Sequence, residues 1–410
     1  MRKRMKTILA LLAVSLVSCF LFTSLSFGQE MPKPGEVIDK NNYKKYAHLF
    51  PEEYLAGFEN GWDGTGDPIS IKVSETKSSP WPKAFLALSE KNRGKFTLDK
   101  DGYIAGGYDY SGLPFPGLNK NDKDFATKLM YNYRYRYYCD DREGPWISYV
   151  RRKGESVIWY TAQSIEIFFV NRLYTNPKPS YKTPVGLEDA QLSQYTYPNS
   201  VKNFTSLLYK YQNPMKSDDT YTYLPTLRRV LRGDASQRST PLQGTIQAYD
   251  DLVGFNGKIQ EFTYQFVKEQ KVLAVEESPM SLSLAKKLQV GNKLPFPSDN
   301  WEIRNVYVIE IKPKIHGYPQ SKKVVYLDEE NLDLYYSIAS DRAGKLWKIW
   351  SVDNKKHLLP DGDKYSYNTG VVGMDVQFGM GTYYTHEYKL NGTGRMYTDI
   401  MPSALLKRGQ

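Results

Sequence analysis

Through the last two thirds of the chain, apolar residues return at every second position, the period of a strand with a buried face. The longest run, residues 156–174, places Val157, Trp159, Ile165, Ile167 and Phe169 in one phase and Ile158, Tyr160, Phe168 and Val170 in the other, so parts of it are covered on both sides. Thr205, Leu207, Tyr209 and Tyr211 share one phase of the next strand. Tyr221 and Tyr223 then oppose Thr220 and Thr222. The cleanest alternation is 260–275, where Phe262, Tyr264 and Phe266 point one way and Thr263, Gln265 and Glu269 the other. Runs at 303–312, 322–328, 332–340 and 345–352 follow at short intervals, and 365–378 and 382–390 add last strands.

The first third carries helical spacing instead. Short helices are expected at 41–49, from Glu52, and from Pro82 to Asn92; Phe125, Leu129, Tyr133 and Tyr137 mark one face of a helix over 121–137. Met280 to Leu288 predicts a further covering helix. Around ten consecutive strands with short connections predict a mainly β (α+β) fold, a large bent antiparallel sheet or incomplete barrel with covering helices. The expected organisation is a leader at 1–28, a mostly helical and loop region at 29–145, a bent-sheet domain at 146–390 and a loosely tied tail at 391–410.

The stretch 218–255 organises the rest. After the alternating tyrosines, Pro225 starts a turn, and 227–231 reads as a returning strand bearing Arg228 and Arg229. Residues 248–255 offer a short helix with Asp250 and Asp251. Either an arginine pairs with one of these carboxylates and ties the helix down as a lid, or it faces an acidic or polar ligand head group. Alternation allows only one of the two arginines to point inward. Tyr221, Tyr223, Phe262, Tyr264 and Phe266 are the candidate ligand-binding rings of the concave face, or equally the floor under covering helices.

Composition narrows the address. Arg2, Lys3, Arg4 and Lys6 precede an uncharged apolar run and the small residues Ser26 and Gly28, the pattern of a cleaved secretory leader. Leu16-Val17-Ser18-Cys19 offers an alternative, a lipidated Cys19, although an apolar continuation follows it. The formal charge of +10 falls to +6 without the leader's four basic residues, too weak a bias for a nucleic-acid partner. One cysteine, Cys139, then remains, so no internal disulfide is available. The 34 tyrosines suit strands with one wet face or a pocket wall meeting an amphiphile.

No catalytic constellation is present. There is no G-x-S-x-G or H-E-x-x-H, and His48, His316, His357 and His386 stand far apart. Asp99, Asp101 and Gly102 mimic a calcium loop, but Thr97 and Tyr108 occupy its end positions, so a hairpin with an Asp101-Gly102 turn is expected. The Tyr-Arg run at 133–138 reads as buried tyrosines flanked by solvated arginines, and Asp140 with Asp141 as solvated turn charges. No enzyme activity, cofactor or metal is expected.

Several ordered motifs carry a resemblance. YLPTLRRV followed by YDDL, then VYVIEIKPK and KKVVYLDEENLDLYYSIASDRAGKLWKIW, is similar to the core of the outer-membrane lipoprotein-sorting proteins, relatives of the LolA and LolB carriers. With GEVIDKNNYKKYAHLFP, GLPFPG and the helix ending in YNYRYR, residues from Gly35 to about Leu390 resemble the Gram-negative envelope family known as domain of unknown function 1329. The resemblance implies a periplasmic half-barrel carrier or chaperone for a lipid, lipoprotein acyl chain or other hydrophobic ligand. It also implies a loading transporter in the inner membrane and an acceptor at the outer membrane. An accessory or assembly protein of an envelope complex is the alternative.

Overall fold

Where strands with one apolar phase follow one another at turn length, each pairs with its neighbour, and the chain does this twice. The computed structural model describes residues 30–61, 67–105, 111–233, 238–241 and 245–408; the expected leader and Cys19 lie outside them. A first meander comprises β3 (Asp141–Arg152), β4 (Ile158–Phe168), β5 (Leu187–Tyr197), β6 (Thr205–Tyr211), β7 (Asp219–Leu224) and β8 (Arg229–Gly233). A second comprises β9 (Phe262–Val275), β10 (Trp301–Pro313), β11 (Gln320–Asp328), β12 (Leu334–Asp341), β13 (Leu346–Leu358), β14 (Lys364–Asp375) and β15 (Met380–His386). Two strands near the N-terminus, β1 (Val37–Ile38) and β2 (Ile71–Lys72), form a separate pair.

The two meanders join into one 14-stranded antiparallel sheet, not closed into a barrel, in the order β8-β7-β6-β5-β4-β3-β15-β14-β13-β12-β11-β10-β9. The short β16 (Lys389–Leu390) also pairs with β3. The first strand and the last long one therefore meet in the middle, and β8 and β9, neighbours in sequence, occupy opposite edges. The connection between them has to cross the width of the sheet. Its described parts lie against one face, called here the inner face.

The other face is covered too. Under the second meander, Tyr46, Phe50, Phe58 and Trp301 pack with Tyr326, Tyr336 and Val372 in one core, to which the 3-10 helix Tyr43–Leu49 contributes. A strand-side glycine permits the tightest contact across the sheet: a Cβ on Gly373 would sit 1.9 Å from the buried ring of Trp350. Under the first meander, Leu192, Leu207, Tyr209 and Tyr223 pack against Ile400 and Leu405. The tail is thus tied down, contrary to expectation, by the turn Tyr397–Ile400 and a terminal helix at Pro402–Arg408 whose apolar residues had no strand period to announce them.

Helices α1 (Lys83–Glu90), α2 (Phe125–Arg134) and α3 (Leu282–Leu288) fall within the expected runs. The Asp101-Gly102 hairpin forms, with Leu98 bridged to Ile104 and Gly102 at φ +80°. Strand β5 was not legible, because a bulge between Leu187 and Asp189 breaks the alternation of Leu187 with Ala190 and Leu192.

Candidate functional site

The inner face has two halves. Beneath the second meander it is filled. Phe262 meets Phe255 and Tyr318 edge-on at 5.3 and 5.5 Å, and Phe266 meets Phe125 of α2 at 5.3 Å. The Tyr264 hydroxyl donates to the carbonyl of Ile259 at 2.8 Å. These three rings share the inner face, as their alternation predicts, but pack on α2 and on the crossing segment.

A buried clamp holds that segment. Asp251 Oδ1 accepts from Lys323 Nζ and Gln320 Nε2, each at 2.9 Å, and its Oδ2 accepts from Lys348 Nζ at 2.9 Å. Lys323 also donates to the carbonyl of Gly254 at 2.9 Å, and Lys348 to that of Ile246 at 2.8 Å. All three charged side chains are buried. Burial opposes ionisation of Asp251, but the two ammonium groups outweigh it and hold its carboxyl well below the usual range. Its neighbour Asp250 accepts from Arg238 Nε and from the Tyr318 hydroxyl, each at 3.0 Å, while Arg238 also reaches Asp218 and Glu261 at 3.0 Å.

The expected partners of these carboxylates are therefore replaced. Arg228 and Arg229 are both exposed and make no ion pair with Asp250 or Asp251. The turn continues through Arg228, at φ +50°, and the ladder starts only at Arg229 opposite Leu224, on the edge strand. Tyr221 and Tyr223 are also displaced from the expected face. Tyr221 pairs in register with Leu207 and Tyr223 with Thr205, which turns both rings to the outer face and the C-terminal segment. Asp250 and Asp251 do tie down the crossing segment, through Arg238, Lys323 and Lys348.

Beneath the first meander, where it joins β15 and β14 of the second, the face is open in part. A cavity of about 90 Å³ lies between the strands and the crossing segment. Rings of Trp146, Tyr195, Tyr249 and Tyr384 line it with Leu252 and Val371, while Arg142, Gln191 and Asn368 supply polar groups. A second cavity of about 40 Å³ shares Arg142, Gln191, Leu252, Val253 and Asn368 and continues toward Glu166, Asp189 and Lys210. One enclosed water needs roughly 10–15 Å³ on this scale, so the larger space holds several waters or a ligand segment of a few atoms.

Its charges are paired. Arg142 forms an ion pair with Glu166, donates to the Tyr367 hydroxyl and lies 4.8 Å from the Tyr388 ring centre. Burial pushes the Glu166 carboxyl up, with Arg142 opposing. Arg134 joins Glu188 to Asp189, 2.8 Å from the latter, and Lys210 donates to Asn256 Oδ1 at 2.5 Å. The arginines of the 133–138 run are not solvated as expected: Arg134 is enclosed by this network, and Arg136 stacks between Tyr133 and Tyr138 at 4.1 and 4.2 Å. Asp140 is likewise buried, accepting from the Leu173 and Tyr174 amides at 2.8 and 2.6 Å. Burial raises the Cys139 thiol well above its ordinary range.

Gln191 and Asn368 line both cavities, and the buried Arg142 Nε has no hydrogen-bond partner. A separate group of acids closes the strand ends at β10–β12. Glu276 Oε2 accepts from the Tyr335 hydroxyl at 2.8 Å, and Arg304 Nε donates to Asp328 at 2.8 Å. Burial, reinforced by Asp333, pushes Glu276 up to about 8; burial also raises Asp333 to about 6, against Arg136. Among the described residues no group of three or more His, Cys, Asp or Glu side chains is placed to hold a metal ion.

Lys323 and Lys348 had a readable signal. Each shares strand parity with buried apolar residues, Lys323 with Val325 and Leu327 and Lys348 with Trp350 and Val352, so each charge sits in an inward phase. Arg238, Gln191 and Asn368 had none, because their role depends on which distant strands the sheet order brings together.

Residues 37–402 match the family described as Protein of unknown function (DUF1329). A comparison with curated proteins finds no match. Among solved structures, a domain from Vibrio parahaemolyticus described as belonging to an outer membrane lipoprotein-sorting protein superimposes with a TM-score of 0.51 at 18% identity, over 68% of this chain and 98% of that one. A DUF1329 family protein from Desulfovibrio piger gives a TM-score of 0.48 at 14% identity, over 68% of this chain and 97% of that one. A LolA superfamily protein from Nitrosomonas europaea gives 0.41 at 13%, over 65% and 92%. The sheet described above thus shares the fold of the Vibrio domain.

Proposed function

The chain belongs to the DUF1329 family, and from that premise we propose that it is a non-enzymatic carrier or chaperone of the periplasm, holding a lipid, a lipoprotein acyl chain or another hydrophobic molecule against the inner face of its sheet. The observation that carries this reading is the cavity under the first meander, which joins aromatic walls to a polar end and is roofed by a segment tethered at its far side. Burial of apolar ligand surface, at roughly 25 cal/mol per Å², would supply the affinity. The cavity seats only part of a long chain, so the remainder would lie along the groove as the segment lifts. The name of the Vibrio domain, from an outer membrane lipoprotein-sorting protein, supports the same class of cargo; on this reading a membrane transporter would be the donor and an outer-membrane component the acceptor.

The alternative reading, an accessory protein of an envelope complex, is favoured by one observation: the rings of Phe262 and Phe266 are already occupied by protein. Native mass spectrometry of the protein purified from its own periplasm separates the two. The carrier reading expects a co-purifying species of lipid mass that exchanges with added lipid. A protein free of cargo that also fails to take up Nile red would overturn it and leave the accessory role.

A further inference from the structure

The open half of the inner face says something about the cargo's head. Buried amide groups nearly always find partners, because a donor or acceptor stripped of water and left unpaired costs more than a hydrogen bond gains. Here Gln191 on β5, half-buried, and Asn368 on β14, buried, line the cavity wall with no side-chain hydrogen bond to another described residue, so their amides are open to whatever fills the cavity. They belong to strands that are far apart in the chain, and both line the two adjoining cavities. The aromatic rings of Trp146, Tyr195 and Tyr384 stand beside them in the larger one.

The surrounding charges are already balanced. Arg134, Arg142 and Lys210 face Glu166, Glu188 and Asp189, three cations against three anions, linked by ion pairs. The ion pairs already balance these charges, so an anionic head placed here would add a fourth negative charge with only Arg142 Nε left to meet it, against the cost of its desolvation. A neutral head bearing carbonyl or hydroxyl groups would instead satisfy both amides without disturbing the pairs.

Resting on the carrier reading, we infer that the cavity selects an uncharged amphiphile, an acyl ester, amide or polyol head with an apolar tail, whose head is hydrogen-bonded by Gln191 and Asn368. Selection then comes from hydrogen bonding at the head, and the tail contributes affinity without discrimination.

The test uses three lipids with one oleoyl chain: monooleoylglycerol, oleate and oleoyl lysophosphatidate, each displacing Nile red from the full mature chain below its aggregation concentration. Monooleoylglycerol should bind at least about tenfold more tightly than either anion, roughly 1.4 kcal/mol. Gln191→Leu and Asn368→Leu should each weaken monooleoylglycerol about five- to tenfold, leave oleate unchanged, and not lower the urea midpoint, since neither removes a bond within the protein. Two substitutions on different strands keep the test valid if one disturbs packing. Anions binding as tightly as the neutral lipid, or variants that bind it as the parent does, would overturn the inference and leave the carrier reading standing. Failure of every lipid to displace the dye would overturn both.

Discussion

The two halves of the inner face are built from the same sheet and covered by the same crossing segment, yet they treat polar groups in opposite ways. Under the second meander every charge of the clamp is satisfied: Asp251 takes two ammonium groups and an amide, and the lysines also reach main-chain carbonyls. Under the first meander and its junction with β14 and β15, ion pairs are complete, the buried Arg142 Nε lacks a partner, and the amides of Gln191 and Asn368 line open space. One half spends its polarity on holding the segment in place and the other keeps it available. The difference teaches where this face can bind and where it can only anchor.

The comparison breaks hardest at the clamp. Asp251→Ala leaves Lys323 and Lys348 buried without a counter-charge, and a loss of about 3–5 kcal/mol in urea unfolding is expected, together with greater Nile red uptake. Replacing all three by Leu, Met and Met should recover most of the stability, since a packed apolar triad of similar size is often as stable as a buried ionic one. If Asp251→Ala unfolds with the parent, the segment is held by packing alone.

A smaller effect separates the clamp from the acids at the strand ends by sign. The folded Glu276 carboxyl keeps its proton up to about 8 against an ordinary value of 4.5, so its contribution is complete below about 4.5 and is lost as pH rises through 8. Asp333 adds the same sign between 3.8 and about 6. Asp251, held low, contributes throughout this range and fails only in acid. The urea midpoint should therefore fall between pH 6 and 8.5, and Glu276→Gln should flatten most of that slope. A parent midpoint that rises over the same interval would contradict the assignment.

The smallest effects belong to the exposed edge. Arg228→Ala and Arg229→Ala should each change stability by less than about 0.5 kcal/mol and leave dye uptake unaltered. A strong effect from either would mean that the edge, and not the clamp, governs the segment.

What could be read from the sequence followed the range of each interaction. Strand phases depend on adjacent residues, so the inward facing of Phe262, Tyr264 and Phe266 and the buried row of Tyr133 and Tyr137 were accessible. Register is set by partners and turn geometry, and there the reading failed: one residue of turn at Arg228 and the pairing of Leu207 with Tyr221 reversed the expected faces. The true holders of Asp250 and Asp251 come from residue 238 and from β11 and β13, brought near only because β9 lies at the edge opposite β8. No local pattern could have paired them.

The meeting of β3 with β15 has a consequence for the order of assembly. Tyr149 lies opposite Tyr383 and Trp146 opposite His386, so the partner of the first strand of the sheet is among the last segments to be synthesised. Until it arrives, the first meander ends in an unpaired edge at β3, the kind of edge that invites pairing with another chain. Completion of the sheet is then a single late closure between regions more than two hundred residues apart, which places this chain among slowly folding, high-contact-order topologies and makes an escort most valuable just before its C-terminal strand is released.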